Sequence, residues 1–327
     1  MSLSVGPLLL DGRVLLAPMS GVTDVGMRRI ARRFGAALVV TEMVACETYL
    51  ADEDESNIRA DGAGVAPHVV QIVGRDPSAM GRAARRAVDA GADIVDINMG
   101  CPARRVAGGL AGSALMRDPG HAMRIVEAVV GAVAVPVTLK MRLGWDENSL
   151  NAPELAQRAE AAGVAMISVH GRTRCQFYNG RADWAAVRRV VDAVAVPVVV
   201  NGDCAGAEDA RAMLALSGAK AVMVGRAAIG APWIAGEIAR AIATDSPIGQ
   251  PPAHLRREAA LEHFDTLLGL FGSRVGLRHA RKHLSAYAEK AGASSAHRLA
   301  LVTSDDASAA RGLLASAFVE AERSEAA

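Results

Sequence analysis

Aromatic residues are scarce in this chain: five Phe, three Tyr and three Trp among 327 residues. With Ala, Val and Gly dominant, that scarcity favours repeated short strands and Ala-rich helices over an antiparallel sandwich. Long apolar runs are missing too. None approaches the roughly 18 residues needed to span a bilayer, and Leu8–Leu10 is too short for a signal-peptide core, so no membrane partner and a cytoplasmic location are expected. Only four cysteines occur, Cys46, Cys101, Cys175 and Cys204, with no C-x-x-C pair. Neither a disulfide framework nor a zinc knuckle is suggested, and no metal site is expected. Charge is almost balanced, at +1, so the total says nothing about a polyanionic partner. Lysine is nearly absent, at four residues against thirty-two arginines.

What is present is a repeating pattern. Eight short apolar runs, Val14–Ala17, Leu38–Thr41, His68–Val73, Ile94–Ile97, Val135–Met141, Met166–His170, Val196–Val200 and Ala221–Val224, alternate with helix-length Ala/Arg/Glu segments. Helix starts are marked at Thr23/Asp24, Asp76-Pro77, Asp118-Pro119, Asn151 and Asp183. Gly35-Ala, Gly91-Ala, Gly163-Val and Gly218-Ala each lead from a helix into an even-numbered strand, a weak internal repeat. Near-continuous apolar strands separated by helices mean a parallel sheet buried on both faces. Eight βα units predict an α/β fold of the TIM (β/α)8 barrel type, with an open seven-stranded sheet as the alternative.

After Arg240 the pattern changes. Residues 244–253, "TDSPIGQPPA", read as a linker, and beyond it only helical periodicity remains, through Leu255, Leu261, Phe264, Leu267 and Leu268, then Leu277, Ala280, Leu284 and Tyr287. This predicts a barrel over residues 1–243 and a small C-terminal all-helical domain over 244–327, with the terminal "AERSEAA" frayed. Residues 251–300 carry eight Lys and Arg against four Asp and Glu, and five of the eight histidines. Arg274, Arg278, Arg281 and Lys282 recur at three- to four-residue spacing, which gathers them on one helical face suited to phosphates. A solvated surface would read the same way.

In a barrel, reacting groups sit at the C-terminal ends of the strands. Those ends carry Pro18, Met19 and Ser20; Gln71; Asn98 and Cys101; Lys140 and Arg142; His170; Asn201, Gly202 and Asp203; and Gly225 and Arg226. Lys140 stands out as a rare lysine on an apolar strand. A buried ammonium is paired or functional, so it forms a Schiff base, donates to a cofactor, or bridges to Glu42 or Asp96. Gln71 meets either the amide edge of a heterocycle or neighbouring backbone groups. The Gly-containing turns at 201–203 and 225–226, each running into a helix start, suit a phosphate. His170 donates to a ligand phosphate or base, acts as a general acid, or is a satisfied core residue. Cys101, between Gly100 and Pro102, leads into a Gly-rich stretch read as a loop that opens and closes over the barrel mouth. Its thiol serves as nucleophile, metal ligand or proton donor.

Taken together in order and spacing, "APMSGVTD", "QIVG", "DINMGCP", "GSALMRDP", "TLKMRLGWD", "VHGRTRCQFYNGRADW", "NGD" and "GRAAIGAPW" resemble the tRNA-dihydrouridine synthases, most closely the bacterial B-type branch. "GLRHARKHLSAY" is similar to that family's helical RNA-binding region. The resemblance implies a barrel with bound FMN that reduces the C5=C6 bond of selected tRNA uridines with NADPH or NADH. It implies that Pro18, Met19 and Ser20 line the flavin, that Gln71 and Lys140 meet its polar edge, and that His170 is a further cofactor-binding residue. Asn201, Gly202, Asp203, Gly225 and Arg226 would hold its ribityl and phosphate end, and Cys101 would donate a proton. Asn98, Arg142 and the four basic residues of the helical region would contact tRNA. A monomer without an obligate protein partner is expected. A dihydroorotate dehydrogenase-like enzyme on a free pyrimidine, or a non-catalytic RNA-binding barrel, remain as alternatives.

Overall fold

The computed structural model describes residues 2–62, 64–244 and 249–326. An antiparallel hairpin, β1 (Ser2–Val5) and β2 (Leu8–Asp11), comes first. Parallel strands follow: β3 (Val14–Leu16), β4 (Leu38–Val39), β5 (Val44–Ala45), β6 (Val69–Val73), β7 (Ile94–Met99), β8 (Val137–Arg142), β9 (Met166–His170), β10 (Val198–Asn201) and β11 (Ala221–Val224). The ladder runs β4-β3-β11-β10-β9-β8-β7-β6-β5. Its two ends are consecutive pieces of one extended segment. Leu38–Val39 pairs with β3, Val44–Ala45 pairs with β6, and between them Thr41 N donates to Val69 O at 3.1 Å. The sheet therefore closes on itself as an eight-stranded barrel whose second strand is interrupted in the middle.

Each expected apolar run forms its strand, and the helix starts are where side-chain acceptors lie. Asp24, Asp76 and Asp118 accept from the backbone N–H three residues on, which satisfies one otherwise unpaired donor of each first turn. Asn151 occupies the equivalent position without such a bond, and Asp183 caps the short turn at Ala185–Val187 through Ala186 N. Gly218 ends its helix at φ 69°, a left-handed conformation that costs a side-chain-bearing residue energy.

The hairpin has no counterpart in the sequence reading. Leu3, Val5 and Leu10 point onto Leu15, Leu38, Val69, Ile94, Met166 and Met223, so they plug the N-terminal end of the barrel. Leu8–Leu10 is a strand whose inward face closes the core.

The C-terminal region is all helix: Ala253–Lys290, Ser295–Thr303, Ala307–Ser316 and Val319–Ala326. Gly272 (φ 72°, ψ 166°) breaks the first of these into two arms. The arms fold back on each other so tightly that a Cβ on Gly276 would sit 2.5 Å from Leu267 O. Phe264, Leu267, Leu277, Leu284, Tyr287, Leu301, Leu314 and Phe318 form its core together with Ile30, Ala231 and Trp233 of the barrel. Leu255, expected inward, is exposed. Residues 245–248 of the expected linker lie outside the described residues. The terminal segment, expected frayed, is helical over Val319–Ala326, and Glu322 and Glu325 pair with Arg257 and Arg256 at 3.1 and 2.5 Å.

The plug yields a direct test. Leu10 is buried whereas the adjacent Leu9 is 71% exposed. Leu10→Ala is expected to destabilise by about 2–5 kcal/mol in denaturant unfolding, and Leu9→Ala to stay within about 0.5 kcal/mol. Equal effects would mean that the hairpin does not seal the barrel.

Candidate active site at the barrel mouth

A cavity of about 900 Å³ opens at the C-terminal end of the strands. All fourteen barrel residues singled out from sequence line it: Pro18, Met19, Ser20, Gln71, Asn98, Cys101, Lys140, Arg142, His170, Asn201, Gly202, Asp203, Gly225 and Arg226.

Its floor is a chain of buried side-chain hydrogen bonds. Thr138 Oγ1 and Gln71 Nε2 donate to the two oxygens of Asp96, each at 2.6 Å. Asn98 Nδ2 donates to Gln71 Oε1 at 2.7 Å, and Asn98 Oδ1 accepts from the backbone N–H of Gly100 (3.1 Å) and Cys101 (2.9 Å). Strand register makes this geometry: Gln71 lies opposite Asp96, and Asp96 opposite Thr138, on adjacent parallel strands. The Gln71 amide is thus bonded to neighbouring side chains rather than to backbone, and it lines the cavity as well. The side chain of Asn98 is spent on the turn that carries Cys101.

That turn is held from further sides. Arg142 Nε donates to Gly100 O at 2.8 Å, and Arg142 Nη1 to Thr173 O and Phe177 O. Ser113 donates to Cys101 O through both its N–H and its hydroxyl. The stretch after Cys101 is a short helix, Arg104–Gly108, and a 3-10 turn, Gly112–Arg117, rather than an irregular loop. Burial pushes the Cys101 thiol above its ordinary pKa, and the opposing effects of Ala103 N–H, Arg142 and Lys140 do not cancel it. A thiol in that state is a proton donor rather than a ready thiolate.

Lys140 donates to Asn201 Oδ1 at 3.1 Å, and Asn201 is itself oriented by donating to Met223 O at 2.9 Å. Neither carboxylate considered as a bridge takes it. Asp96 is engaged by Gln71 and Thr138, and Glu42 accepts from Gly21 N and faces Arg59. The reason is strand placement, which puts the amide of Asn201 within reach of the ammonium. One partner for three N–H donors leaves capacity toward the cavity. Burial, aided by Arg142, lowers the Lys140 pKa to about 8.

On the opposite side, Asp203 accepts from Arg172 at 3.0 and 2.6 Å, from Ala182 N at 2.8 Å and from Arg226 at 2.9 Å. Its carboxylate aligns two guanidinium groups, so any anion bound there meets Arg226 and not Asp203. Gly202 is obligatory: at φ 120° a Cβ would lie 2.7 Å from the Ala182 side chain and 2.8 Å from His170. Asp209 occupies Ala205 N, which leaves the Gly225-Arg226 turn as the better anion cradle. Burial first, then the charges of Lys140 and three arginines, hold His170 well below its ordinary pKa. Arg172 Nη1 lies 3.3 Å from His170 Nε2, which makes Nε2 the acceptor in a neutral ring.

Tyr178 escaped sequence reasoning. It is 51% exposed, lines the cavity, and is faced by the guanidinium groups of Arg142 and Arg226 at 5.6 and 5.1 Å. Its rarity, one of three tyrosines, was the available signal.

The basic helix divides. Arg274, Arg278 and Lys282 are exposed, and Lys282 reaches the barrel, its Nζ lying 2.6 Å from where a Cβ on Gly21 would be. Arg281 does not share that face. It turns toward Asp305 at 2.7 Å, because one residue of helix rotates it about 100° from Lys282.

Residues 15–322 match the family described as Dihydrouridine synthase (Dus). A "Probable tRNA-dihydrouridine synthase" from Rhodobacter capsulatus is 51% identical over 324 residues, 98% of this chain and 99% of that protein. One of the same description from Rhizobium leguminosarum bv. phaseoli is 54% identical, covering 85% and 86%. "tRNA-dihydrouridine synthase B" from Xanthomonas axonopodis pv. citri is 45% identical, covering 88% and 87%. Among solved structures, histamine dehydrogenase from Rhizobium sp. 4-9 matches 81% of this chain and half of its own at a TM-score of 0.57 and 15% identity, a likeness of fold. With nearly the whole chain matched and seven of the eight quoted motifs contributing residues to one cavity, the protein belongs to the dihydrouridine synthase family.

Proposed function

We propose that the protein is a flavin-dependent tRNA-dihydrouridine synthase, reducing the C5=C6 bond of uridine in tRNA with FMN in the barrel mouth and NADPH or NADH as reductant. The observation that carries this reading is the Cys101 thiol, kept protonated by burial and held at the cavity by Asn98, Ser113 and Arg142. The cavity fits a flavin: Lys140 and Gln71 retain hydrogen-bonding capacity on one side, and Arg226 beside Gly225 suits a phosphate on another. When bound, the flavin supplies hydride.

Uracil C6 is conjugated with the C4 carbonyl, so hydride addition at C6 leaves negative charge shared between C5 and O4. C5 must then receive a proton. Cys101 holds one on Sγ, and the fixed backbone of its turn limits where Sγ can reach, which favours transfer to a correctly docked base. Lys140 holds its ammonium proton at Nζ through Asn201 and places positive charge at the cavity wall, where reaction makes the bound groups more negative. A uridine in folded tRNA must leave its stack to enter, and exposed Tyr178 offers an aromatic face at the opening.

We divide the chain into a catalytic barrel, 1–243, and a tRNA-binding helical part, 244–327. The row Arg274, Arg278 and Lys282 leads to Gly21 beside Ser20, which favours a polyanion continuing into the cavity over a free pyrimidine. Acting on tRNA makes the cytoplasm its place of work. Truncating the helical part is a poor test, since it would expose Ile30 and Trp233; charge reversal is cleaner.

Cys101→Ala is expected to keep fold, flavin content and flavin reduction by NADPH while uridine reduction in tRNA falls by about two to four orders of magnitude. Cys46→Ala, Cys175→Ala and Cys204→Ala should cost far less. Near wild-type turnover by Cys101→Ala would remove its role as acid.

Arg278→Glu combined with Lys282→Glu should weaken tRNA binding and flatten its salt dependence, leaving flavin reduction unchanged. Arg281→Ala, which loses a pair with the highly exposed Asp305, should leave affinity nearly intact. If Arg281→Ala alone matched the double variant, the assigned face would be wrong.

The Lys140 ammonium is charged below its folded pKa of about 8 and neutral above it. Flavin affinity of the free protein should therefore decline as pH rises through about 8, and Lys140→Met should bind weakly with no inflection there. An unchanged inflection in Lys140→Met would assign the titration to another group.

A further inference from the structure

Asp24 sits where the barrel meets the helical part. Its Oδ1 caps the helix Val25–Arg33 through Met27 N at 3.1 Å. His263 and His283, on opposite arms of the helical hairpin, converge on the same carboxylate. His263 Nε2 is 3.1 and 3.0 Å from its two oxygens, and His283 Nε2 is 3.6 Å from Oδ2. The imidazole rings are 4.4 Å apart. One ligating atom from each of the three residues lies within 4.8 Å of the others.

His283 is the anomaly. It is 2% exposed, its Nδ1 is buried without a partner, and its Nε2 is beyond hydrogen-bonding distance of Asp24. Burying an imidazole with so little pairing is costly, and its Nε2, turned toward Asp24, is placed to take a ligand shared with that carboxylate.

We infer that Asp24, His263 and His283 form a binding site for a divalent transition-metal ion of the zinc class, joining the barrel to the helical part. Two imidazoles and one carboxylate are a zinc-type donor set, and a small cavity bordered by Asp24 and His283 offers the fourth position to a water. His263 Nδ1 lies 3.0 Å from Tyr287 Oη, the kind of outer hydrogen bond that orients a ligating histidine. With an ion on Nε2, the ring carries its proton on Nδ1 and donates it to Tyr287. Glu42 and Glu55 border the same cavity and offset Arg59. Because Lys282 precedes His283, an ion here would also steady the basic residue that reaches Gly21.

Full-length protein, dialysed against chelator, should take up one Zn²⁺ per chain by calorimetric titration. Zn²⁺ at about one-hundredfold over Kd should raise Tm by roughly 5 °C, and Mg²⁺ should not. His283→Gln should lose the Zn²⁺-dependent rise, whereas Cys175→Ala, which removes the exposed thiol, should keep it. X-ray absorption at the zinc edge of the wild-type protein should report imidazole and oxygen scatterers. Sulfur scatterers, no stoichiometric uptake, or His283→Gln binding Zn²⁺ as wild type does would overturn the inference and leave a buried water as the occupant.

Discussion

Asp96 is a carboxylate inside the barrel, and the arrangement of the mouth follows from how its two oxygens are satisfied. Burial raises its pKa, while hydrogen bonds from Gln71 and Thr138 and the charge of Lys140 act in the opposite direction. A buried acceptor of this kind left unpaired costs on the order of several kcal/mol, so Gln71 and Thr138 have little freedom. With Gln71 Nε2 on Asp96, its Oε1 faces Asn98 Nδ2, and with that amide oriented, Asn98 Oδ1 is left to organise the backbone of Gly100 and Cys101. Three strands and the Cys101 turn are coupled by this one chain of hydrogen bonds.

Low water access also sets the charge states of the groups around it. The same desolvation raises the Cys101 thiol, lowers the Lys140 ammonium to about 8 and keeps His170 neutral. Their shared surroundings turn three ordinary side chains into a proton donor, a softened cation and a neutral ring. Where a permanent positive charge must survive burial, the chain uses arginine: Arg142 is fixed by backbone carbonyls, and Arg172 by Asp203 together with carbonyls. Guanidinium remains charged where an ammonium would not.

The helical part is coupled to the barrel by packing as well as by charge. Ile30, Ala231 and Trp233 belong to its core, and Asp24 both caps a barrel helix and meets His263. The Lys282 ammonium therefore has a defined place beside Gly21, next to Ser20 of the cavity lining, while Arg274 and Arg278 remain exposed on the same helix.

Several features were legible because they are local. The short continuous apolar runs, the helical periodicity, the Asp caps and the glycines at helix ends depend on near neighbours, so the barrel strands and most helix starts could be read from the chain. Strand-end positions marked the cavity residues, since parallel βα units place every such end on one face. The hairpin Ser2–Asp11 was missed because it stands outside the repeating strand–helix pattern, and its purpose is visible only against the barrel it closes. Arg281 was misplaced because its partner Asp305 lies on another segment, the tail was thought loose because Arg256 and Arg257 are 65 to 69 residues away, and Tyr178 carried only its rarity. The sequence by itself determined the order of strands and helices, the residue types at each strand end and the family. Only the tertiary structure decided that Lys140 pairs with Asn201, that Asn98 serves the Cys101 turn, and that Asp24 meets a histidine 239 residues distant. Side-chain pairing and desolvation depend on which distant segments share a buried volume, and no local pattern encodes that.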